Sequence, residues 1–225
     1  AKKEHCSFIR VSPILEDTKE NNALFEELGF RDAPLHMHTE LTWVLDLQQS
    51  EEDLLAGMRK TTRNLIKRGE REGVEIRQGT LDEFYKLYQE TEKRQKFVAF
   101  SKQYLQKELD AFKGDARIFL AHHDGKILAG AVIIFYDDAI YYHHGASLHS
   151  QIPAAYTLQW EIIKEAKKRG IKQYNLWGVV KEDDTKHPWH GLSLFKRGFG
   201  GRELPLMHAK DLPLSWRYWI SWMVE

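Results

Sequence analysis

Apolar and polar positions alternate between two periods along this chain. Ser7–Val11 is a short strand-like run stopped by Pro13, and Leu41–Leu47 reads as a strand with Thr42, Val44 and Asp46 on one face. Between them, Ala23, Leu24 and Leu28 fall at helical spacing within Thr18–Leu28, with Gly29 at the C-cap position, and Phe30–Pro34 leads into His36-Met37-His38. From Ser50 the period is helical. Leu54, Leu55, Met58, Leu65 and Ile66 form one stripe of a helix ended by Gly73, and Ser50 with Asp53 three residues on predicts a capping box. A strand over Val74–Arg77 follows, then a helix over Leu81–Arg94 capped by Thr80, a break over Phe97–Phe100, and a helix from the cap Ser101 through Phe112.

The second half changes period again. Ala116–His122, Ile127–Tyr136 and Ala139–Ala146 read as three antiparallel strands joined by turns at Asp124-Gly125 and Asp137-Asp138. Strict alternation on the third strand puts Tyr142 and His144 on one face and Tyr141 and His143 on the other. A long amphipathic helix over Ala154–Arg169, capped by Gly170, leads to a buried strand over Tyr174–Val180. A meander followed by a crossover helix predicts a mixed α/β fold of acetyltransferase-like (GNAT) layout, with a mostly antiparallel sheet flanked by helices. A doubly wound sheet would alternate strand and helix throughout. Residues 1–47 hold too little to close a core of their own. The expected division is therefore a C-terminal part of a first domain over 1–47 and a second, complete domain over 48–225. The apolar run SFIRVSPIL so near the start reads as entry into the middle of a domain, hence a chain truncated at its N terminus.

Composition narrows the classes. The chain has 225 residues, 42% hydrophobic and 12% aromatic with seven Trp, which is ample for a core. Lys plus Arg and Asp plus Glu balance at 33 each, so a nucleic-acid partner needs a local basic patch. Cys6 is the single cysteine, which excludes an internal disulfide and a cysteine zinc site and fits a reducing cytosol. No apolar run is long enough to span a membrane, and no signal peptide is evident.

Three stretches carry candidate chemistry. Asn175–Gly201 combines a buried strand, a polar loop, Trp189, Phe195 and Phe199, the cationic pair Lys196-Arg197, and Gly198, Gly200 and Gly201. It reads as a strand, a loop and a short glycine-capped helix, or as a strand-end loop offering Lys196 to an anion. The helix after Ser50 carries Arg59, Lys60, Arg63, Lys67, Arg68 and Arg71 opposite its apolar stripe, either a solvated face or a phosphate-contacting one. In the tail, Trp216, Trp219, Ile220 and Met223 share helical spacing, suited to packing or to a membrane interface. His36 and His38 share strand spacing, but no third metal ligand is evident beside them.

The blocks MRKTTRNLIKRGEREGV, KILAGAVIIFYDDAIYYHHGAS, LQWEIIKEAKKRGIKQYNLWG and HPWHGLSLFKRGFGG, in that order, resemble the Fem-type (FemABX-like) aminoacyltransferases that build peptidoglycan interpeptide bridges. The resemblance covers nearly the whole chain. It implies transfer of an amino acid from aminoacyl-tRNA to an amine of a UDP-MurNAc-peptide or lipid-linked precursor, with no cofactor and no metal. A peripheral contact with the inner membrane face is part of the same expectation. Lys196 matches the family lysine placed near the reacting carbonyl, and Tyr104 a substrate-binding tyrosine. Four positions before Tyr104 the family often has arginine. Here it is Phe100, which implies that an anion contact is lost or has moved to Arg94 or Lys102. Tyr142 and His144 stand where relatives carry tyrosines, and His144 would relay a proton. Trp189 and Arg197 complete the expected substrate contacts, and Arg59, Lys60, Arg63 and Lys67 the tRNA contacts. Two other classes compete. One is an acyl-CoA-dependent N-acetyltransferase, for which QIPAAY lacks the glycine-rich pyrophosphate turn. The other is a non-catalytic module that binds glycopeptide or RNA.

Overall fold

The computed structural model describes residues 1–36, 38–95 and 98–225; Met37 of the His36–His38 stretch and Phe97 of the expected break lie outside them. The chain divides into two compact units. The first is Ala1–Trp43 with Gly178–Ser193 and Glu203–Glu225, and the second is Val44–Trp177 with Leu194–Arg202.

The first unit is built on a three-stranded antiparallel sheet. Its strands β1 (Phe8–Val11) and β2 (Arg31–Asp32) flank a strand from the far end of the chain, Lys210–Pro213. Ile9 faces Leu212 and Asp32 faces Lys210. The buried Asp211 carboxylate accepts two hydrogen bonds from Arg10, at 2.7 and 2.8 Å, and the buried Lys210 ammonium donates to Asp32 at 2.6 Å and Asn22 at 2.7 Å. Each buried charge is thus compensated. Helix α1 (Lys19–Glu27) starts at the cap Thr18, whose hydroxyl accepts from the Asn21 N–H, and Gly29 follows it with φ +85°.

The second unit carries the larger sheet. Strand β3 is Leu41–Asp46, and its Val44–Asp46 end belongs here. Then come α2 (Glu51–Gly57), α3 (Lys60–Arg71), β4 (Glu75–Gln78), α4 (Leu81–Gln95), α5 (Lys102–Phe112), β5 (Ala116–His123), β6 (Lys126–Tyr136), β7 (Ala139–Ser147), α6 (Ala154–Lys168) and β8 (Gln173–Gly178). The strand order is β4-β5-β6-β7-β8-β3. Strands β4 to β7 are antiparallel to their neighbours, while β8 runs parallel to β7 after the α6 crossover. This is the mixed, acetyltransferase-like arrangement that the pattern predicts. Beyond it lie α7 (His190–Arg197), β9 (Arg202–Pro205), β10 (the Lys210–Pro213 strand) and α8 (Tyr218–Val224).

One face of the sheet packs on α4 and α5 through Phe84, Leu87, Leu105, Leu120, Val132 and Ala146. The other lies under α6, with α3 packed against α6. The expected caps hold. Ser50, Thr80 and Ser101 each accept from the backbone N–H three residues on. The single helix expected from Ser50 is instead two, because α2 stops at Met58 (ψ 153°) and α3 restarts after Arg59. The break lets the glycine turn approach. The Arg59 N–H donates to the Gly198 carbonyl at 2.9 Å, and a Cβ on Gly200 would stand 2.9 Å from the Gly57 oxygen. Gly201, at φ +90°, comes so close to β3 that a Cβ would lie 2.2 Å from the Val44 oxygen.

Candidate active site

Lys196 sits in the last turn of α7 and is only 4% exposed. Its neighbours Phe195 and Phe199 contact the Tyr156 ring on α6 at 5.0 and 5.9 Å, and Gly198 closes the turn against Thr62, where a Cβ would lie 2.5 Å from the hydroxyl. The Lys196 ammonium faces the Tyr142 ring, 6.0 Å from its centroid, at the edge of cation–π range. Burial alone brings its pKa down from 10.5 to about 7. Burial also pushes the Tyr142 phenol up to about 12, against a smaller opposing effect from its hydrogen bond with Gln159 on α6. The Tyr142 ring lies over Gly145, whose Cβ would meet the phenol oxygen at 1.8 Å. Arg197, next to Lys196, is buried as well. An amine close to half protonated at neutral pH, in a site lined by rings, can stabilise a developing oxyanion and give or take a proton.

His144 lies on the opposite face of the sheet, a departure from the predicted alternation. Val132 on β6 pairs with His144, but the next residue, Ile133, pairs with Tyr142. His143 is therefore the extra residue of a β-bulge. The bulge turns His144 toward α4 and α5, away from Tyr142. It also lets both histidines reach Glu108 on α5, with Nε2 to carboxylate oxygen distances of 2.7 Å for His143 and 2.8 Å for His144. A carboxylate only accepts, so both Nε2 atoms carry the hydrogen in this arrangement. Burial raises the Glu108 pKa, but the two hydrogen bonds outweigh it and bring the carboxyl down to about 2. Rings enclose the cluster: Phe100 lies 5.7 Å and Tyr88 6.1 Å from His144, and Trp177 lies 6.1 Å from His143. Tyr104 is 48% exposed and stacks on Phe100 at 4.5 Å. Tyr104 and His144 are thus joined through Phe100, whereas Lys196 and Tyr142 form a separate group across the sheet.

The remaining candidates are dispersed. Arg94 is exposed in the last turn of α4, and Lys102 pairs with Asp82 at 2.5 Å. On the basic helix, Arg59, Lys60 and Lys67 are exposed. Arg63 instead donates to the carbonyls of Leu55 and Ala56, each at 3.2 Å, and to that of Met58, so it closes the C-terminus of α2. Trp189 belongs to the first unit. It lines a cavity of about 620 Å³ with His36, His38, Glu40, His187 and His208. There His208 bonds Glu40 and the Ala33 carbonyl, and His38 the Thr39 carbonyl. In the tail, Tyr218 is the buried residue of α8, while Trp216, Trp219, Ile220, Trp222 and Met223 are exposed. No helix among the described residues is long and apolar enough to cross a membrane. At the start of α6, Pro153 has no N–H and that of Ala154 donates to the Ile152 carbonyl, which removes two donors an acyl-CoA pyrophosphate would need.

Sequence reasoning missed Glu108 and Trp177. Glu108 lies four residues after Tyr104 on α5, so helical spacing from a chosen candidate could have found it. Trp177 holds φ +66°, rare for a bulky residue, with its N–H on the Asn175 side chain at 2.8 Å. No periodicity announces that.

Comparison with known proteins agrees with this architecture. The FemAB family model matches residues 1–126 and 121–207. The chain is 30% identical to the UDP-N-acetylmuramoylpentapeptide-lysine N(6)-alanyltransferase of Weissella viridescens, over 79% of this chain and 58% of that protein. It is 32% identical to the lipid II:glycine glycyltransferase of Staphylococcus haemolyticus (strain JCSC1435), over 43% of this chain and 23% of that protein. It therefore spans only part of the length of these relatives. The crystal structure of FemX superposes with a TM-score of 0.89 at 19% identity, covering 98% of this chain and 75% of that one. With one family model running through both units and a fold shared almost end to end, the chain belongs to the FemAB family.

Proposed function

We propose that this chain is the acyl-transfer part of a peptidoglycan-bridge aminoacyltransferase. In this reading an amino acid passes from aminoacyl-tRNA to an amine of a UDP-MurNAc-peptide or its lipid-linked form. The second unit is the transfer domain in this reading. The observation that carries the reading is a buried lysine of near-neutral pKa at the position where the resemblance expects the residue beside the reacting carbonyl.

The reaction is aminolysis of an ester. The precursor amine attacks the carbonyl carbon, a tetrahedral oxyanion forms, and the C–O bond to the ribose breaks. One proton must leave the attacking nitrogen and one must reach the departing ribose oxygen. Protonated Lys196 is suited to hold the oxyanion and then to protonate that oxygen. It would recover its proton from the ammonium of the tetrahedral adduct, so no metal or cofactor enters the balance. Tyr142, held by Gln159 and by its contact over Gly145, fixes one wall beside Lys196. Exposed Tyr104, stacked on Phe100, offers a ring and a hydroxyl to the precursor, and Arg59, Lys60 and Lys67 offer charge to the tRNA backbone. The exposed Trp216, Trp219 and Trp222 around α8 suit a peripheral contact at the membrane interface, where a lipid-linked precursor would be met.

The test incubates the chain with a mixed pool of charged tRNAs and UDP-MurNAc-pentapeptide and weighs the precursor by mass spectrometry. A gain of one amino-acid residue, lost in Lys196→Met, is the expected result. An unchanged precursor mass, both with this chain and with a longer chain restoring the full length of the relatives, would reject the reading.

A further inference from the structure

We propose that Glu108, His143 and His144 form a three-ligand site for a divalent transition-metal ion of the zinc class, with the fourth position open toward solvent at His143. Adjacent residues of a regular strand point to opposite faces, so two consecutive histidines cannot share a metal there. The bulge at His143 removes that obstacle. One ligand atom from each of the three residues lies within 4.8 Å of the other two. A tetrahedral ion about 2.1 Å from each atom sets them about 3.4 Å apart. The Nε2 atoms of His143 and His144 lie 2.7 and 2.8 Å from Oε1 and Oε2 of Glu108, respectively; when an ion enters, each ring carries its hydrogen on Nδ1 instead and the two hydrogen bonds give way to metal bonds.

The donor set is two imidazoles and one carboxylate, the combination that open zinc and non-haem iron sites use. It is fixed on regular elements, α5 and β7, rather than on loops. The rings of Tyr88 and Phe100 lie against His144 and that of Trp177 against His143. Access remains at His143, whose side chain is 25% exposed against 14% for Glu108 and 8% for His144. An open fourth position on such an ion suits an anionic oxygen ligand, a carboxylate or a phosphate. This site lies across the sheet from Lys196, so it is independent of the transfer chemistry above. It also runs against the absence of a metal expected from the sequence.

The test strips the full chain with a chelator and titrates it with Zn²⁺, with Co²⁺ as the spectroscopic probe. Expected are one Zn²⁺ per chain by equilibrium dialysis and a visible Co²⁺ spectrum of low coordination number. Imidazole ¹H–¹⁵N NMR signals of two histidines should shift together on Zn²⁺ addition. Glu108→Gln and His143→Gln should each weaken binding by at least about tenfold, while His123→Ala, on β5, should not. No shift of a histidine pair in the wild type overturns the proposal whether or not the variants fold. So does retention of wild-type affinity in a folded Glu108→Gln.

Discussion

Replacing Lys196 by Met keeps the length of the stem and removes the charge. Burial holds the folded-state pKa at about 7 against 10.5 when exposed. At about 1.36 kcal/mol per pKa unit, the full difference is about 5 kcal/mol against folding. The unfolded chain binds more protons at this position than the folded one between those two values, so stability rises with pH across that window. Below about pH 7 both states are protonated and the whole penalty applies; above about 10.5 both are neutral and it vanishes. At pH 7 the cost is about 4 kcal/mol and at pH 9 about 2 kcal/mol. Lys196→Met also loses the contact with Tyr142, which shifts the absolute values, so the informative quantity is the change in ΔΔG with pH. Urea unfolding of both proteins at pH 7, 8 and 9, followed by tryptophan fluorescence, should show the variant's relative advantage shrinking by about 2 kcal/mol from pH 7 to 9. Parallel profiles would mean that Lys196 titrates as it does in water, and the electrostatic account of this site would be wrong.

Two further outcomes test the supporting structure. Gly145→Ala should cost about 1–3 kcal/mol by driving the Tyr142 ring from its place. Tyr142→Ala in the same chain should restore much of that loss, and additive costs in a double-mutant cycle would count against the contact. Arg63→Ala should cost about 1–3 kcal/mol because the carbonyls ending α2 lose their donor, with the salt dependence of the proposed tRNA binding unchanged. Lys67→Ala should leave stability alone and flatten that salt slope by about one, measured by filter binding.

What could be read from the sequence was mostly what is decided within a few residues. The caps Ser50, Thr80 and Ser101 are local hydrogen bonds written in residue type and spacing. The hairpin at Asp124-Gly125 is likewise local, with both residues at positive φ. The α2–α3 break was hidden because both helices keep their apolar residues on one stripe; the turn that interrupts them comes from Gly198–Gly201, far along the chain. The first unit was hidden for the same reason, since β10 supplies its central strand from residue 210 onward. Lys196 was identifiable through the resemblance. Its burial and lowered pKa were not, because they depend on where Phe195 and Phe199 anchor on Tyr156.

The bulge at His143 changes the chemistry that can be asked of this face of the sheet. Regular alternation would set His144 beside Tyr142 and make a Lys196–His144 acid–base pair natural. With one extra residue, His144 is committed to Glu108, and the sheet stands between it and Lys196. One ionisation, that of Lys196, should then govern the alkaline side of the transfer reaction. The acting form is the cation, so kcat/KM should fall as pH rises through about 7, while deprotonation of the attacking amine makes it rise from the acid side. Lys196→Arg keeps a charge that does not titrate in range, so its alkaline fall should disappear even where its absolute rate is lower. Lys196→Met should lose about 10²–10³-fold in rate. His144→Asn should keep the alkaline fall where the wild type has it, whatever happens to its rate. A profile in which His144→Asn abolishes that fall and Lys196→Arg preserves it would place the proton transfer on the Glu108 side of the sheet, with Lys196 reduced to a structural cation.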